Sequence, residues 1–397
     1  MSTPFEKRRP LRIALMGTRG VPARYGGFET CVDEVGRRLA ARGYEVVVYC
    51  RNTTGADTSL REYAGMRLVH LPAMRRRSLE TLSHSGLSAA HLAAHRVDAA
   101  VVFNAANAPW LPLLRAARIP VATHVDGLEW KRAKWGPGGK KYYRLAESMA
   151  VRWSDALIAD AAGIQDYYAE QFGADTRLIS YGAPIIERRH GRLAELGLEP
   201  GRYHLVVARF EPENHVHLIV EGYVASGAQL PLIVVGGSPY GDEYTRQVRD
   251  RADGRVRFLG GVWDQELLDQ LYANALVYWH GHSVGGTNPS LLRAIGAAAP
   301  TNAFDVTFNR EVLAEAGRYF STSAQVAELA VDAEELPGET MARGRMGQQR
   351  AVRYDWDIVT DGYETLCRDL AERAVRSSGG RRRPVAAAAD RDPAGVK

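Results

Sequence analysis

Between His280 and Gly296 the chain reads HGHSVGGTNPSLLRAIG, a run in which an apolar segment, ALVYW, gives way to Gly285, Gly286, Thr287, Asn288 and Pro289. Asn288 suits a helix N-cap and Pro289 the first helical position, with an apolar stripe following through Leu291, Leu292 and Ile295. The free amides after Gly285 and Gly286 would then converge on an anion at a helix N-terminus, and phosphate is the usual occupant. A second candidate is Arg209, which closes the apolar run HLVVARF with Glu211, Glu213 and Asn214 just beyond it. An arginine at a strand end can pair two phosphate oxygens at once, while an ion pair with Glu211 or Glu213 is the plain structural alternative.

Two further stretches concentrate polar groups after apolar runs. THVDGLEWKRAKWGPGGKKYYR brings together His124, Asp126, Glu129, Trp130, Lys131, Arg132 and Lys134. Asp126 or His124 could take a proton or position a hydroxyl, and Trp130 and Trp135 could offer flat faces to a sugar or a membrane interface. A solvated charged loop anchored by its tryptophans is the bland alternative. GTRGVPARYGGFET holds Gly17, Gly20, Gly26 and Gly27 ahead of a helix expected from Phe28, with Glu29 and Asp33 early and Arg37, Arg38 and Arg42 late. These glycines are spaced more widely than GxGxxG, and the loop's N–H groups could face ligand oxygens.

No GxxxxGK[ST] occurs, and no Asp-x-Asp pair closes a strand where it would hold a metal-bound diphosphate. A departing diphosphate would then be neutralised by protein cations and helix dipoles, so no metal and no cofactor are expected. Cys31, Cys50 and Cys367 lie far apart and read as packing residues. Net charge is +5, made of +9 on residues 1–183 and −4 on the remainder, counting Lys and Arg against Asp and Glu. Without a helix-turn-helix, RNP or zinc-finger pattern, this basic front half does not indicate nucleic acid.

The elements that must position these groups alternate short β-branched runs with amphipathic helical segments, the pattern of parallel sheets covered by helices. RIALMG, YEVVVYC, MRLVHL, DAAVVF, PVATHVD, DALIA and RLISYG read as one strand series, and HLVVARF, LPLIVVGG, RVRFLG, ALVYWHG and APTNAF as another. The expected fold is α/β, with two doubly wound Rossmann-like domains in tandem: residues 1–183, a linker at 184–202, and residues 203–355. Ligands of such sheets bind beyond the strands' carboxyl ends, so two substrates can meet across the cleft. Residues 376–397 read as a disordered tail. With 46% hydrophobic and 24% charged residues and only strand-length apolar runs, the protein is expected to be cytoplasmic.

From Leu11 to about Leu370 the order and content of these motifs resemble the GT-B glycosyltransferases of family 4, which are retaining enzymes. MGTRGVPARYGGFET, HVDGLEWKRAKWG, ARFEPEN and HGHSVGGTNPSLL look more narrowly like the rhamnosyltransferase-like branch of bacterial surface polysaccharide synthesis. The resemblance implies a nucleotide-sugar donor held mainly by the second domain and a glycan or lipid-linked glycan acceptor held by the first. It also implies a helix at about 356–373 crossing back to the first domain. Peripheral contact with an anionic membrane, at the inner face of the plasma membrane, would fit the basic front half. On this reading Arg209 faces the donor diphosphate, Gly285 to Asn288 lie beneath it, and Glu129, Trp130, Lys131, Arg132 and Lys134 serve the acceptor. Asp126, with His124 nearby, orients the acceptor hydroxyl.

Departures from the family pattern are as informative. Asn214 stands where a lysine is common, and Gly285 and Arg293 stand where two glutamates are common. Arg293 could compensate as a diphosphate cation, a deoxyribose donor could relax the need for a glutamate, or donor binding could be lost. A GT-B sugar-nucleotide epimerase and a catalytically silent nucleotide-binding regulator are the alternative functions.

Overall fold

A computed structural model describes residues 9–23, 26–52, 58–74, 79–125, 127–132, 135–237 and 242–377. Asp126, Lys134 and the expected tail beyond Ser377 lie outside the described residues.

Two sheets account for both strand series. The first contains β1 (Arg12–Met16), β2 (Glu45–Arg51), β3 (Glu62–Tyr63), β4 (Met66–Leu71), β5 (Ala99–Phe103), β6 (Val121–His124), β7 (Ala156–Ala159) and β8 (Arg177–Leu178). Their spatial order is β3-β4-β2-β1-β5-β6-β7-β8, parallel throughout except for the β3–β4 pair. The second contains β9 (His204–Val207), β10 (Leu232–Val235), β11 (Val256–Gly260), β12 (Val277–His280), β13 (Thr301–Phe304) and β14 (Gly317–Phe320), in the parallel order β11-β10-β9-β12-β13-β14. Chain order reverses between β1 and β5 in one sheet and between β9 and β12 in the other. These are the switch points where open α/β sheets leave a crevice.

The strands are nearly continuous apolar runs because helices cover both faces. Along β1, Ile13 and Leu15 join the core beneath the helix Gly27–Ala41, while Ala14 and Met16 join the core on the opposite face. That helix begins one residue earlier than its sequence pattern suggests, with Gly26 as its N-cap. All three cysteines are free and buried, and burial pushes the Cys31 and Cys367 thiols up to about 12.

The final helix, Trp356–Ser377, lies against the helix Gly27–Ala41 of the first domain. Arg42 bonds Asp361 at 2.6 Å and Glu364 at 2.7 Å, Tyr44 donates to Glu364 at 2.8 Å, and the Cys31 thiol meets the Tyr363 hydroxyl at 3.5 Å. The chain therefore passes between the domains twice, and the passages run side by side: the Ala183 N–H donates to the Tyr354 carbonyl at 2.7 Å. A Cβ on Gly182 would stand 2.2 Å from the Trp356 ring, so only glycine admits this contact. Among the described residues, no helix is long and apolar enough to cross a membrane.

Glu147, on the helix Pro137–Trp153, is buried and accepts a hydrogen bond from the Tyr167 hydroxyl at 2.9 Å. Burial pushes its carboxyl up to about 7 from an ordinary 4.5. The folded state thus holds this proton more tightly than the unfolded state, and stability is lost as pH rises through that interval. Glu147→Gln keeps the hydrogen bond without the charge. It is expected to gain about 1–3 kcal/mol over wild type at pH 8 and to show no gain at pH 4, read from denaturant melts at both values.

Candidate functional site

The loops after β9 and β12, the two strands at the second sheet's switch point, form one wall of the cleft. After β12 the backbone reaches Gly285 with φ at +141°, a conformation that favours glycine. Asn288 then caps the helix Pro289–Gly296, its side-chain oxygen accepting from the Ser290 N–H at 2.9 Å. The glycine loop thus leads directly into a capped helix start at the end of β12.

This loop sits against the first domain. A Cβ on Gly127, just after β6, would fall 2.2 Å from the Gly285 Cα and 2.6 Å from the Gly286 nitrogen. A Cβ on Gly286 would fall 1.9 Å from a carboxylate oxygen of Asp160, which follows β7, and the Thr287 hydroxyl donates to the Asp160 carbonyl at 2.7 Å. Gly27, at the start of the first helix, faces Pro289, where an added Cβ would lie 3.0 Å away. The cleft's two lips touch through glycines, and at Gly127 a Cβ would meet backbone atoms of the opposite domain that have no rotamer to yield.

Arg209 lies two residues past β9 with its side chain 40% exposed and its guanidinium 3.6 Å from Glu211. Asn214 is not a vacant lysine position. Its amide donates to the Arg209 carbonyl at 2.8 Å, and its oxygen accepts from Nδ1 of His282 at 2.8 Å. His282 is buried, and burial, with Arg132 the foremost of the surrounding positive groups, holds it neutral, well below the ordinary imidazole range. Its Nε2 would lie 3.0 Å from a Cβ on Gly285. Asn214 and His282 therefore tie the Arg209 backbone to the amide loop.

Arg293 lies on the helix Pro289–Gly296. Its guanidinium bonds the carboxylate of Asp269 on the neighbouring helix Gln265–Asn274. Arg293 is thus engaged by an acid of its own domain, and acting as a diphosphate cation would require it to leave that carboxylate.

On the first-domain wall, His124 ends β6 in a buried aromatic box. Its ring stacks on Phe103 with centroids 5.6 Å apart and meets Phe28 and Tyr181 at 5.1 and 5.8 Å. Burial pushes its pKa down to about 3, which makes it a weak base and leaves orientation as its better role. Glu129 and Arg132 form a buried pair at 2.6 Å, with the Trp135 indole donating to Glu129 at 3.3 Å. Arg132 also lies 3.8 Å from Glu211 of the second domain. The pair thus lies at the domain junction. Lys131 and Arg144 lie 5.5 and 5.3 Å from the centroid of the Trp130 ring, within cation–π range.

In the glycine loop, Gly17 and Gly20 have positive φ, and an added Cβ would strike the Phe103 carbonyl at 2.3 Å and Cys50 at 2.5 Å. The Arg19 and Ala23 amides are bonded to Glu29 and Asp33, at 3.0 and 2.9 Å. Gly27 faces Pro289 across the cleft, while Gly26 faces Glu29 of its own helix. Sequence reasoning missed Asp160, Asp269 and His282 as neighbours of the site, and named Glu211 only as an ion-pair partner for Arg209. Asp160 directly follows a strand and could have been found by the rule that drew attention to Asp126. Among the described residues, no group of three or more His, Cys, Asp or Glu side chains could hold a metal ion.

Two parallel, doubly wound sheets meeting across one cleft, with the last helix returning to the first domain, define the GT-B glycosyltransferase fold. Residues 26–182 match the family described as Glycosyl transferase 4-like domain. Solved structures share the fold at low identity. Sucrose-phosphate synthase from Thermosynechococcus elongatus is 20% identical with a TM-score of 0.78, covering 91% of this chain and 100% of its own. Anabaena HepE in complex with UDP-glucose is 18% identical with a TM-score of 0.72, covering 90% and 99%. An alpha,alpha-trehalose-phosphate synthase (UDP-forming) from Burkholderia vietnamiensis is 11% identical with a TM-score of 0.67, covering 91% and 100%. No curated protein sequence matches the chain.

Proposed function

We propose that this chain transfers a hexose or deoxyhexose, rhamnose first, from a nucleoside diphosphate sugar to a glycan or lipid-linked glycan, with retention and without a metal ion. The observation that carries the reading is that the Asn288-capped helix start after β12 and Arg209 after β9 follow the two adjacent strands at the second sheet's switch point. Such a site suits a diphosphate, because helix-terminal amides and a guanidinium both bind phosphate oxygens. HepE with UDP-glucose, which shares the fold, supports a nucleotide sugar as the donor.

In the proposed step the acceptor hydroxyl attacks the anomeric carbon on the face from which the diphosphate departs. The bond from that carbon to the phosphate oxygen breaks, and the hydroxyl proton passes to the departing phosphate. Asp126 orients the hydroxyl, neutral His124 supports that loop, and Arg209 with the amides stabilises the charge that develops. A groove of about 600 Å³ lined by Trp130, Lys140, Lys141, Arg144 and Leu145 supports peripheral contact with an anionic cytoplasmic membrane face.

The test is a thermal-shift screen over UDP, GDP and dTDP sugars, followed by assay of nucleoside diphosphate release with membrane-extracted acceptor. One donor should stabilise the protein and be turned over at the same rate with EDTA present. Binding without release under any acceptor would favour a silent regulator, and loss of release in EDTA would overturn the metal-free reading.

A further inference from the structure

Arg132 and Arg209 come from different domains, and both approach the carboxylate of Glu211. Arg132 Nη1 lies 3.8 Å from one oxygen and Arg209 Nη1 lies 3.6 Å from the other. Glu129 holds Arg132 through Nε at 2.6 Å in a buried pair, which fixes the direction of its guanidinium in advance. The same two arginines are among the positive charges acting on His282, whose Nε2 borders Gly285. A cation from each domain, the first glycine of the loop after β12 and one intervening acid therefore share a single locus.

A carboxylate and a phosphoryl group present similar paired oxygens to a guanidinium fork. Glu211 is 20% exposed, on the same short loop as Arg209, and can be displaced by a competing anion without breaking into a core. The second domain supplies no lysine at 214, since Asn214 is spent on His282 and the Arg209 carbonyl. Arg293 is held by Asp269.

We infer that Arg132 is the second cation of the diphosphate site, delivered by the first domain, and that Glu211 occupies it until a diphosphate displaces the carboxylate. The inference rests on the nucleotide-sugar reading above and moves Arg132 from the acceptor to the donor. A bound diphosphate would then bridge the two domains, and its full complement of positive charge would exist only when the cleft is closed. A donor in the open cleft would meet Arg209 alone, which guards it against loss to water.

The test is calorimetric titration of the full chain at low salt with UDP, GDP, dTDP, inorganic pyrophosphate and the matching nucleosides. Arg132→Gln should weaken the preferred nucleoside diphosphate and pyrophosphate by on the order of 10-fold while leaving the nucleoside unchanged, and Arg132→Lys should retain part of the affinity. Glu211→Gln should tighten both anions, because the resident competitor is gone. Unchanged diphosphate affinity in Arg132→Gln, or equal loss of nucleoside and diphosphate, overturns the inference. If Arg132→Gln does not fold, Glu211→Gln decides alone: unchanged or weaker anion binding overturns it. Wild type that binds no nucleoside diphosphate overturns the nucleotide-sugar reading, and this inference with it.

Discussion

Arg209→Ala should lower kcat by on the order of 10²–10³-fold, the range seen when one preorganised group is removed from a developing negative charge. The deficit should appear in kcat more than in KM, because the bond to the diphosphate strengthens as the leaving group separates. Arg209→Lys retains the charge but not the two-pronged geometry, so it should recover only part of the rate. The Arg209 side chain is 40% exposed and its nearest acid, Glu211, is 3.6 Å away, so neither change should much alter stability. The measurement is steady-state nucleoside diphosphate release beside a thermal melt. Near-normal turnover in Arg209→Ala would remove this residue from the chemistry and leave the helix start after β12 as the main anion-binding element.

Gly127→Ala should abolish most activity, on the order of 10²-fold or more, with little change in the melting of either domain. The added methyl would need to occupy space 2.2 Å from the Gly285 Cα and 2.3 Å from its carbonyl carbon, both backbone atoms of the opposite domain. Neither can rotate aside, so the domains must separate by about an ångström or more. A displacement of that size is enough to cost two orders of magnitude when two reactants must be held in register. Small-angle scattering should report a more open particle, while donor affinity falls less than turnover. Full activity in Gly127→Ala would mean that the contact between these lips is not needed for transfer.

The fold was largely legible because its signals are local. Buried parallel strands write themselves as β-branched runs, and the runs named in the sequence correspond to twelve of the strands. The remaining two, β3 and β14, are short: Glu62–Tyr63 is a two-residue edge pair, and Gly317–Phe320 mixes Gly and Arg into its run. Asn288 and Pro289 announced a helix start for reasons confined to a single turn. Side-chain pairing across elements was not legible. Arg293 and Asp269 are 24 positions apart, and Arg132 and Glu211 belong to different domains. Nothing in local spacing distinguishes an arginine awaiting a phosphate from one already matched to a carboxylate. In the WKRAKW segment, too, the local pattern hid a pairing: Glu129 and Arg132 neutralise each other and are buried.

The paired passages of the chain at Gly182–Ala183 and Tyr354–Trp356 have a mechanical consequence. Two tethers laid abreast and joined by the Ala183–Tyr354 hydrogen bond resist sliding and twisting, since either motion would stretch that bond or drive Gly182 into the Trp356 ring. One swing about the line of the tethers is the motion that spares both. On the proposed function the molecule would then behave as a door with a single hinge, and the angle of that swing would set which acceptors can enter. Bulk tolerance would be a property of the hinge, tunable at Gly182 and Trp356, without altering any residue that touches sugar.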